Sequence, residues 1–458
     1  MTTFNVSTTA AFQTALSRAH AGDSIQLAPG TYSGISIQSV KVSSGAVTIA
    51  SQDQWHPAVL RQFHISNSSG LSFSHLDMSA KGATDQYYVW RITGSSNISF
   101  DSVAVTGETN LAPSVNPAAF FFSNCSNMSI TNSTFQGLLD GLVQTRTDHS
   151  NISDNLFMRM GGDGIDSAQV SYVTINNNDF TAFQTGSQHP DAIQFWTEGA
   201  SVASHDITIS GNVYIRGAEP ASQDAQGIFL NDEVGNLPYS NVKITNNTIL
   251  GSMYNGIMLV DGVNSTISGN TVRGYSDMES WIRVANSTAT TLSNNVTQRY
   301  ILSHDTSSVT QSNDSIIGPT SAQPPALTNS GSAASYRLGG SAAAVASHLA
   351  LADAGSPIIV STRVAITGGF LAGDKLNFTN QHGIAGSYNA STGVLTLIGM
   401  GTLANYQAAL DSITFSSSAS DTTHGGADAS RTISFTASDP LQTSNTLAAT
   451  LSVSGSGS

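Results

Sequence analysis

The chain has 458 residues, with 16 Lys plus Arg against 30 Asp plus Glu and a formal net charge of −14. That balance excludes nucleic acid and anionic membrane surfaces as partners, because both need a basic footprint. Only 10% of residues are charged while 39% are hydrophobic, so the chain is not generally disordered and its surface is built from Ser, Thr, Asn and Gly.

The first residues, MTTFNVSTTA, carry no basic n-region or apolar h-region of a signal peptide. No later run approaches the ~18 apolar residues of a membrane span, so membrane insertion is not expected. Residues 7–20 predict a short amphipathic helix, capped by Ser7 or Thr8 with Phe12, Ala15 and Leu16 on one face. Such a helix would cover the open end of a stacked β fold. Cys125 is the single cysteine, which excludes an intrachain disulfide and a cysteine zinc site; it reads as a small buried hydrophobe.

From about residue 90 to 318 one phrase recurs: NMSITNSTF, NISDNLF, VTINNNDF, ITISGNVY, VKITNNTI, STISGNTV, TTLSNNVT. Its asparagines, Asn155, Asn178, Asn212, Asn247, Asn270 and Asn295, are 23, 34, 35, 23 and 25 residues apart. A base period of 23–25 with longer members is one turn of a parallel β-helix carrying loop insertions. Inward Ile, Val and Leu would stack into a core, and the asparagines would bond their copies in neighbouring coils. The fold class is therefore all-β: a right-handed parallel β-helix over residues 1–319, a Pro/Ser/Ala-rich linker over 320–335 and a small β-sandwich over 336–458. Within the last, TLANYQAALDSI predicts one helical connection.

A second register runs Asp140-Gly-Leu, Asp163-Gly-Ile, Asp191-Ala-Ile, Gln226-Gly-Ile, Asn255-Gly-Ile, one per coil. Ile165, Ile193, Ile228 and Ile257 then point inward, while Asp166, Gln194, Phe229 and Met258 point out, followed by Trp196 and Asn231 two residues on. This outward column carries neither Lys nor Arg. A lone Asp140 reads as a turn former. Asp163, Asp166 and Asp191, by contrast, would crowd together at a rung spacing of about 4.8 Å. Carboxyls that close cannot all ionise, so one becomes a proton donor while another stays charged. The candidate catalytic residues are Asp163, Asp166, Asp191 and His189. Gln194, Trp196, Gln226, Phe229, Asn231, Asp232, Glu233 and Met258 are the candidate substrate contacts, with Trp196 offering a flat face to a sugar ring.

Asp163-Gly-Ile-Asp166-Ser-Ala, with Val173-Thr-Ile175, resembles the N-T-D-G-[IF]-D segment of polygalacturonase-type glycoside hydrolases (family 28). The resemblance implies catalytic roles for Asp163 and Asp191. Pro190 stands where that family has its general-acid aspartate, Gln226 where it has the histidine of G-H-G, and Ile257-Met258-Leu259 where it has R-I-K. Asp166 or His189 would then supply the proton. Asp166 and Asp191 also match two aspartates of mannuronan C5-epimerases (Y-G-F-D-P-H, then D-G-F-V), with Asp163 in place of the tyrosine and Ala168 in place of the histidine. Residues 336–455, with GFLAGDKLNFTNQHGIAGSYNASTGVLTL, resemble the cadherin-like repeat of type I secreted exoproteins. Asp353-Ala-Gly-Ser356 replaces the calcium-type turn of many such repeats. This resemblance implies a secreted, extracellular bacterial protein.

The reading that unites these features is a secreted enzyme acting on a polysaccharide, with glycoside hydrolysis ahead of elimination because the column lacks cations. It requires no cofactor. The alternatives are a lyase or C5-epimerase-like enzyme using calcium held by the three aspartates, and a non-catalytic adhesin or tailspike-like module. Oligomer formation is compatible with each.

Overall fold

The computed structural model describes the whole chain apart from residues 54–55, 84–86, 109–111, 186–188, 217–224, 307, 321–322, 330–333, 347–348, 354–355, 357, 382, 440–441 and 456–458. The chain folds as two units, Met1–Thr320 and Ser321–Ser458.

The first unit is a right-handed β-helix of three parallel sheets with 14, 11 and 12 strands. One coil shows the path: Leu142–Thr145 in the 11-stranded sheet, Asp148–Ser153 in the 14-stranded sheet, Leu156–Met158 in the 12-stranded sheet, then Ile165–Ala168 back in the first. Inward side chains from all three form one continuous apolar core from Val6 to Leu292. Stacked phenylalanines recur along it, as in Phe135, Phe157 and Phe180 with centroids 4.6 and 5.0 Å apart.

The corners explain the repeat. From Asp154 to Asn295, the turns from the 14- to the 12-stranded sheet use a left-handed residue followed by a buried one, as in Asp154 and Asn155, Asn177 and Asn178, Gly211 and Asn212. Asn212 Oδ1 accepts from the backbone N–H and the Nδ2 of Asn178 at 3.0 and 2.9 Å. Its own Nδ2 donates to the Ile175 carbonyl and to Asn247 Oδ1 at 2.9 and 3.0 Å. The ladder runs on to Asn295, where Asp314 terminates it. The expected asparagine stack is thus present, and each amide satisfies main-chain groups that the sharp bend would leave orphaned.

At the N-terminus Thr9–Leu16 forms the expected helix, with Thr8 Oγ1 capping the Ala11 N–H at 3.1 Å and Phe12, Ala15 and Leu16 buried in the solenoid core. Cys125 is buried.

In the second unit, a six-stranded and a three-stranded sheet share one core that includes Ile359, Val364, Leu397, Phe415 and Phe435. Leu403–Asp411 is the expected helix, with Thr402 as its N-cap. The stretch 320–335, expected to be a linker, contributes structure instead. Ala326–Asn329 pairs antiparallel with Leu349–Ala352, and Ala334–Arg337 pairs parallel with Leu447–Ser454. Their Ala/Ser/Thr composition hid two edge strands. Asp353 Oδ1 accepts the Ser356 N–H at 2.9 Å.

Candidate active site

Two outward columns run side by side on the 11-stranded sheet. Strand pairing aligns Asp191 with Gln226, and the matching hydrogen bonds and registers place Tyr88, Ala118, Asp140, Asp163, Asn255 and Trp281 in the same column. The second column is His64, Arg91, Phe121, Val143, Asp166, Gln194, Phe229, Met258 and Arg283. Between them lies a small residue in six successive coils: Ala119, Gly141, Gly164, Ala192, Gly227 and Gly256. At Gly164 an added Cβ would sit 2.6 Å from the Ala192 carbonyl oxygen and 2.7 Å from the Phe180 ring. The close approach there is what separates Asp163 from Asp166 by two inward residues and returns both to the same face.

The first column is an acidic ladder with an amide end. Asp140 Oδ1 accepts the Asp163 N–H at 2.9 Å and Asp163 Oδ1 accepts the Asp191 N–H at 2.7 Å. These two aspartates therefore fasten successive coils, and Asp140 also accepts from Tyr87 Oη at 3.2 Å. Asp163, expected as a direct catalyst, has one oxygen committed to the main chain. Asp191 differs: it is fully buried, and neither of its carboxylate oxygens has a regular hydrogen bond. His189 covers it, with Nδ1 3.3 Å from Asp191 Oδ2 and a ring that is 58% exposed.

Beyond His189 the polar chain continues. Gln226 Nε2 meets His189 Nε2, Asn255 Nδ2 donates to Gln226 Oε1, and Trp281 Nε1 donates to Asn255 Oδ1 at 2.7 Å. An indole N–H only donates, so it fixes the direction of every bond in the series. Asn255 must accept from Trp281 and donate to Gln226, and Gln226 must in turn donate to His189 Nε2. In the neutral imidazole this puts the proton on Nδ1, on the side of Asp191.

Burial pushes the Asp191 carboxyl up to about 6, with His189 pulling it back down. The Asp191 carboxylate in turn raises His189 above its ordinary value, against the opposing effect of burial. Asp166 is half-buried, with Oδ1 unpartnered. Its carboxyl lies well above the usual carboxylate range because of desolvation, then Asp140 and Asp191. Asp163 is raised well above that range too, by burial and then by Asp191 and Asp166. The expectation that these carboxyls cannot all ionise follows from this crowding.

The other expected contacts divide. Gln194 follows Asp166 in its column, and Trp196 and Asn231 lie half-buried one position further out. Phe229 and Met258 are buried, at 8% and 6% exposure, in a small apolar cluster on the outer face with Val260 and Ala285. They cover the sheet and present no open sugar platform. Asp232 also departs from expectation: its oxygens accept from Gly235 N–H, Leu237 N–H and Thr197 Oγ1 at 3.0, 2.7 and 2.8 Å, so it shapes its own loop. Glu233 is exposed and accepts the Thr197 N–H at 2.7 Å. Among the described residues no three His, Cys, Asp or Glu side chains converge to hold a metal ion.

The column also corrects the expectation that it lacks cations, because Arg91 and Arg283 both belong to it. Tyr87, Tyr88, Asn255 and Trp281 were likewise not anticipated as site residues. Tyr88 stacks on Phe121 at 4.5 Å, and burial with the nearby Asp140 and Asp166 pushes its phenol up to about 12. Asn255 stood in the Asp register without being given a role, and extending that register further in both directions would have found Tyr88 and Trp281.

No curated protein sequence matches the chain. Among solved structures it is similar to an alginate lyase from Paenibacillus sp. str. FPU-7, at 16% identity and a TM-score of 0.44 over 69% of this chain and 99% of that one. It is similar to the A-module of the Azotobacter vinelandii mannuronan C-5 epimerase AlgE4, at 14% identity and a TM-score of 0.39 over 68% and 95%. A third is the catalytic domain of a GH87 alpha-1,3-glucanase in complex with nigerose, at 14% identity and a TM-score of 0.33 over 64% of each chain. Residues 33–272, more than half of the sequence, match the family described as the right handed beta helix region, and the chain belongs to that family.

Proposed function

We propose that the chain hydrolyses glycosidic bonds of a polysaccharide on the outer face of its 11-stranded sheet. The observation that carries this reading is a half-buried Asp166 with one unpartnered oxygen, close enough to Asp191 to be raised by its charge, and a His189 backed by that fully buried Asp191. Asp166, kept protonated by its surroundings, donates a proton to the leaving oxygen. Asp191 holds the His189 Nδ1–H and stabilises the imidazolium that forms when His189 Nε2 takes a proton from water, once that water displaces the Gln226 amide. Asp163 positions Asp191 by binding its N–H. Glycosidic cleavage with water needs no cation at the scissile bond. Elimination from a uronate needs one against the reacting carboxylate, and Arg91 and Arg283 stand three and four rungs from Asp166, about 14 Å or more. In this reading the sandwich of residues 321–458 is a cadherin-like spacer or anchoring module of a secreted enzyme.

The test is a reducing-end assay on a panel of neutral and acidic polysaccharides, with absorbance near 235 nm followed in parallel as the mark of an unsaturated product. Reducing ends without that absorbance are expected, and they should vanish in Asp166→Asn and His189→Gln. An unsaturated product would establish a lyase, and retained binding without cleavage would establish an adhesin. Either result overturns the proposal.

A further inference from the structure

Toward the N-terminus the Asp166 column leaves the acidic ladder and enters basic territory. Strand pairing carries it from Asp166 through Val143 and Phe121 to Arg91 and then His64. There a cavity of roughly 1200 Å³ opens at the corner leading into the sheet, lined by Arg61, His64, Lys81 and Arg91 among others. Three of the chain's 16 Lys and Arg residues thus meet in one cavity of a molecule whose net charge is −14.

These cations have not been placed there to neutralise the protein's own acids. Among the described residues none of Arg61, Lys81 and Arg91 is ion-paired, and none of the cavity's lining side chains is a carboxylate. Glu108, whose carboxylate touches the cavity wall at Gly82, is committed to that residue's N–H at 3.0 Å. Arg91 Nε is buried without a hydrogen-bond partner. Arg61 is fixed by bonds from Nη1 to Ser79 Oγ at 3.0 Å and to the Lys81 carbonyl at 2.8 Å, which anchors the backbone that carries the lysine. A buried guanidinium N–H without an acceptor costs free energy that an incoming oxyanion would recover.

We propose that this cavity is a subsite for the anionic groups of an acidic polysaccharide, a uronate carboxylate or a sulfate ester, whose chain runs along the outward column toward Asp166. Between the two ends the column carries the half-buried Tyr88 and Phe121, stacked on each other at 4.5 Å, and then the buried Val143, so no charged group interrupts the path. Three rungs separate Arg91 from Asp166, about 14 Å, so the anion lies a few sugar units from the bond that is cut. The inference rests on the reading of Asp166 and its neighbours as the cleavage site, and it names the substrate class for that site.

The experiment titrates fluorescently labelled oligouronate, sulfated oligosaccharide and neutral gluco-oligosaccharide of equal length into the full chain carrying Asp191→Asn, at low and high salt. At least one acidic probe should bind about tenfold or more tighter than the neutral one, and salt should weaken it. Added Arg91→Gln or Lys81→Gln should each weaken that probe about tenfold and leave the neutral probe unchanged. Lys81 is exposed, so its variant tests the subsite without disturbing the fold. Comparing the two acidic probes identifies carboxylate or sulfate. Equal binding of acidic and neutral probes, or indifference to Arg91→Gln and Lys81→Gln, overturns the subsite while leaving the cleavage reading intact. Tight, Arg91-dependent binding of an acidic chain that the unsubstituted protein never cuts overturns the cleavage reading and leaves the subsite.

Discussion

The direction of three hydrogen bonds depends on one indole. In Trp281→Phe the only obligate donor of the series is gone, and Asn255 and Gln226 become free to turn over together. Gln226 would then present Oε1 to His189, an acceptor that favours the imidazolium where the wild-type amide N–H opposes it. The His189 pKa should rise, as read from its ring signals in an NMR titration, and the limb of the pH–rate profile that it controls should move to higher pH. An unmoved titration would show that Gln226 keeps its orientation for another reason. Asp166 offers a second test. Asp166→Asn removes the proton donor, so kcat should fall by about 10²–10⁴ with folding intact. Its folded carboxyl is raised above the unfolded value of about 3.9, so the native state binds that proton more tightly than the unfolded chain. The favourable contribution is complete below about pH 4 and is lost as pH rises through the elevated folded value. Asp166→Asn should therefore melt at the same temperature as wild type near pH 4 and at a higher one at pH 8, which thermal scans across that range will show.

The strands that carry the site hang on corner ladders, and here sequence and structure can be compared element by element. The asparagine spacing disclosed the coils from Asn155 onward, where the buried amides bond one another. In earlier coils the equivalent positions are Leu76, Val103 and Ser133, all buried, so the same bend was built without the signature. That is why a register anchored on Asn missed the first coils and left Tyr88 and Arg91 unaligned with the aspartates. The Asp-Gly-Ile phrase exposed the acidic column but not its hydrogen bonding, since the choice between capping an amide and facing a groove is made by loop geometry. Asp163 and Asp232 fell on the structural side of that choice. Asn212→Leu tests the ladder directly. It strands the Asn178 N–H and Nδ2 and the Ile175 carbonyl in a buried corner. At about 1–3 kcal/mol for each buried group left unsatisfied, the loss should be several kcal/mol, seen as a fall in the urea midpoint of the solenoid. A change below about 1 kcal/mol would mean that the corner can rehydrate.

Across the whole chain, two cores stand apart: one apolar cluster fills the solenoid and another the C-terminal unit. The second contains the chain's one ion pair that is fully buried on both sides among the described residues, Arg431 Nε to Asp374 Oδ2 at 2.6 Å. Arg431 spends its remaining donors on the carbonyls of Thr422 and Asp428, both at 2.9 Å, so the guanidinium ties the 421–430 loop to the sheets. Removing one charge leaves the other buried and uncompensated, at a cost of about 3–5 kcal/mol. Asp374→Asn should therefore lower only the transition that belongs to Ser321–Ser458 in a calorimetric scan. Turnover measured below that transition should stay at the wild-type level, because every residue assigned to the chemistry lies in Met1–Thr320. A joint downward shift of both transitions would show instead that the two cores unfold as one cooperative body.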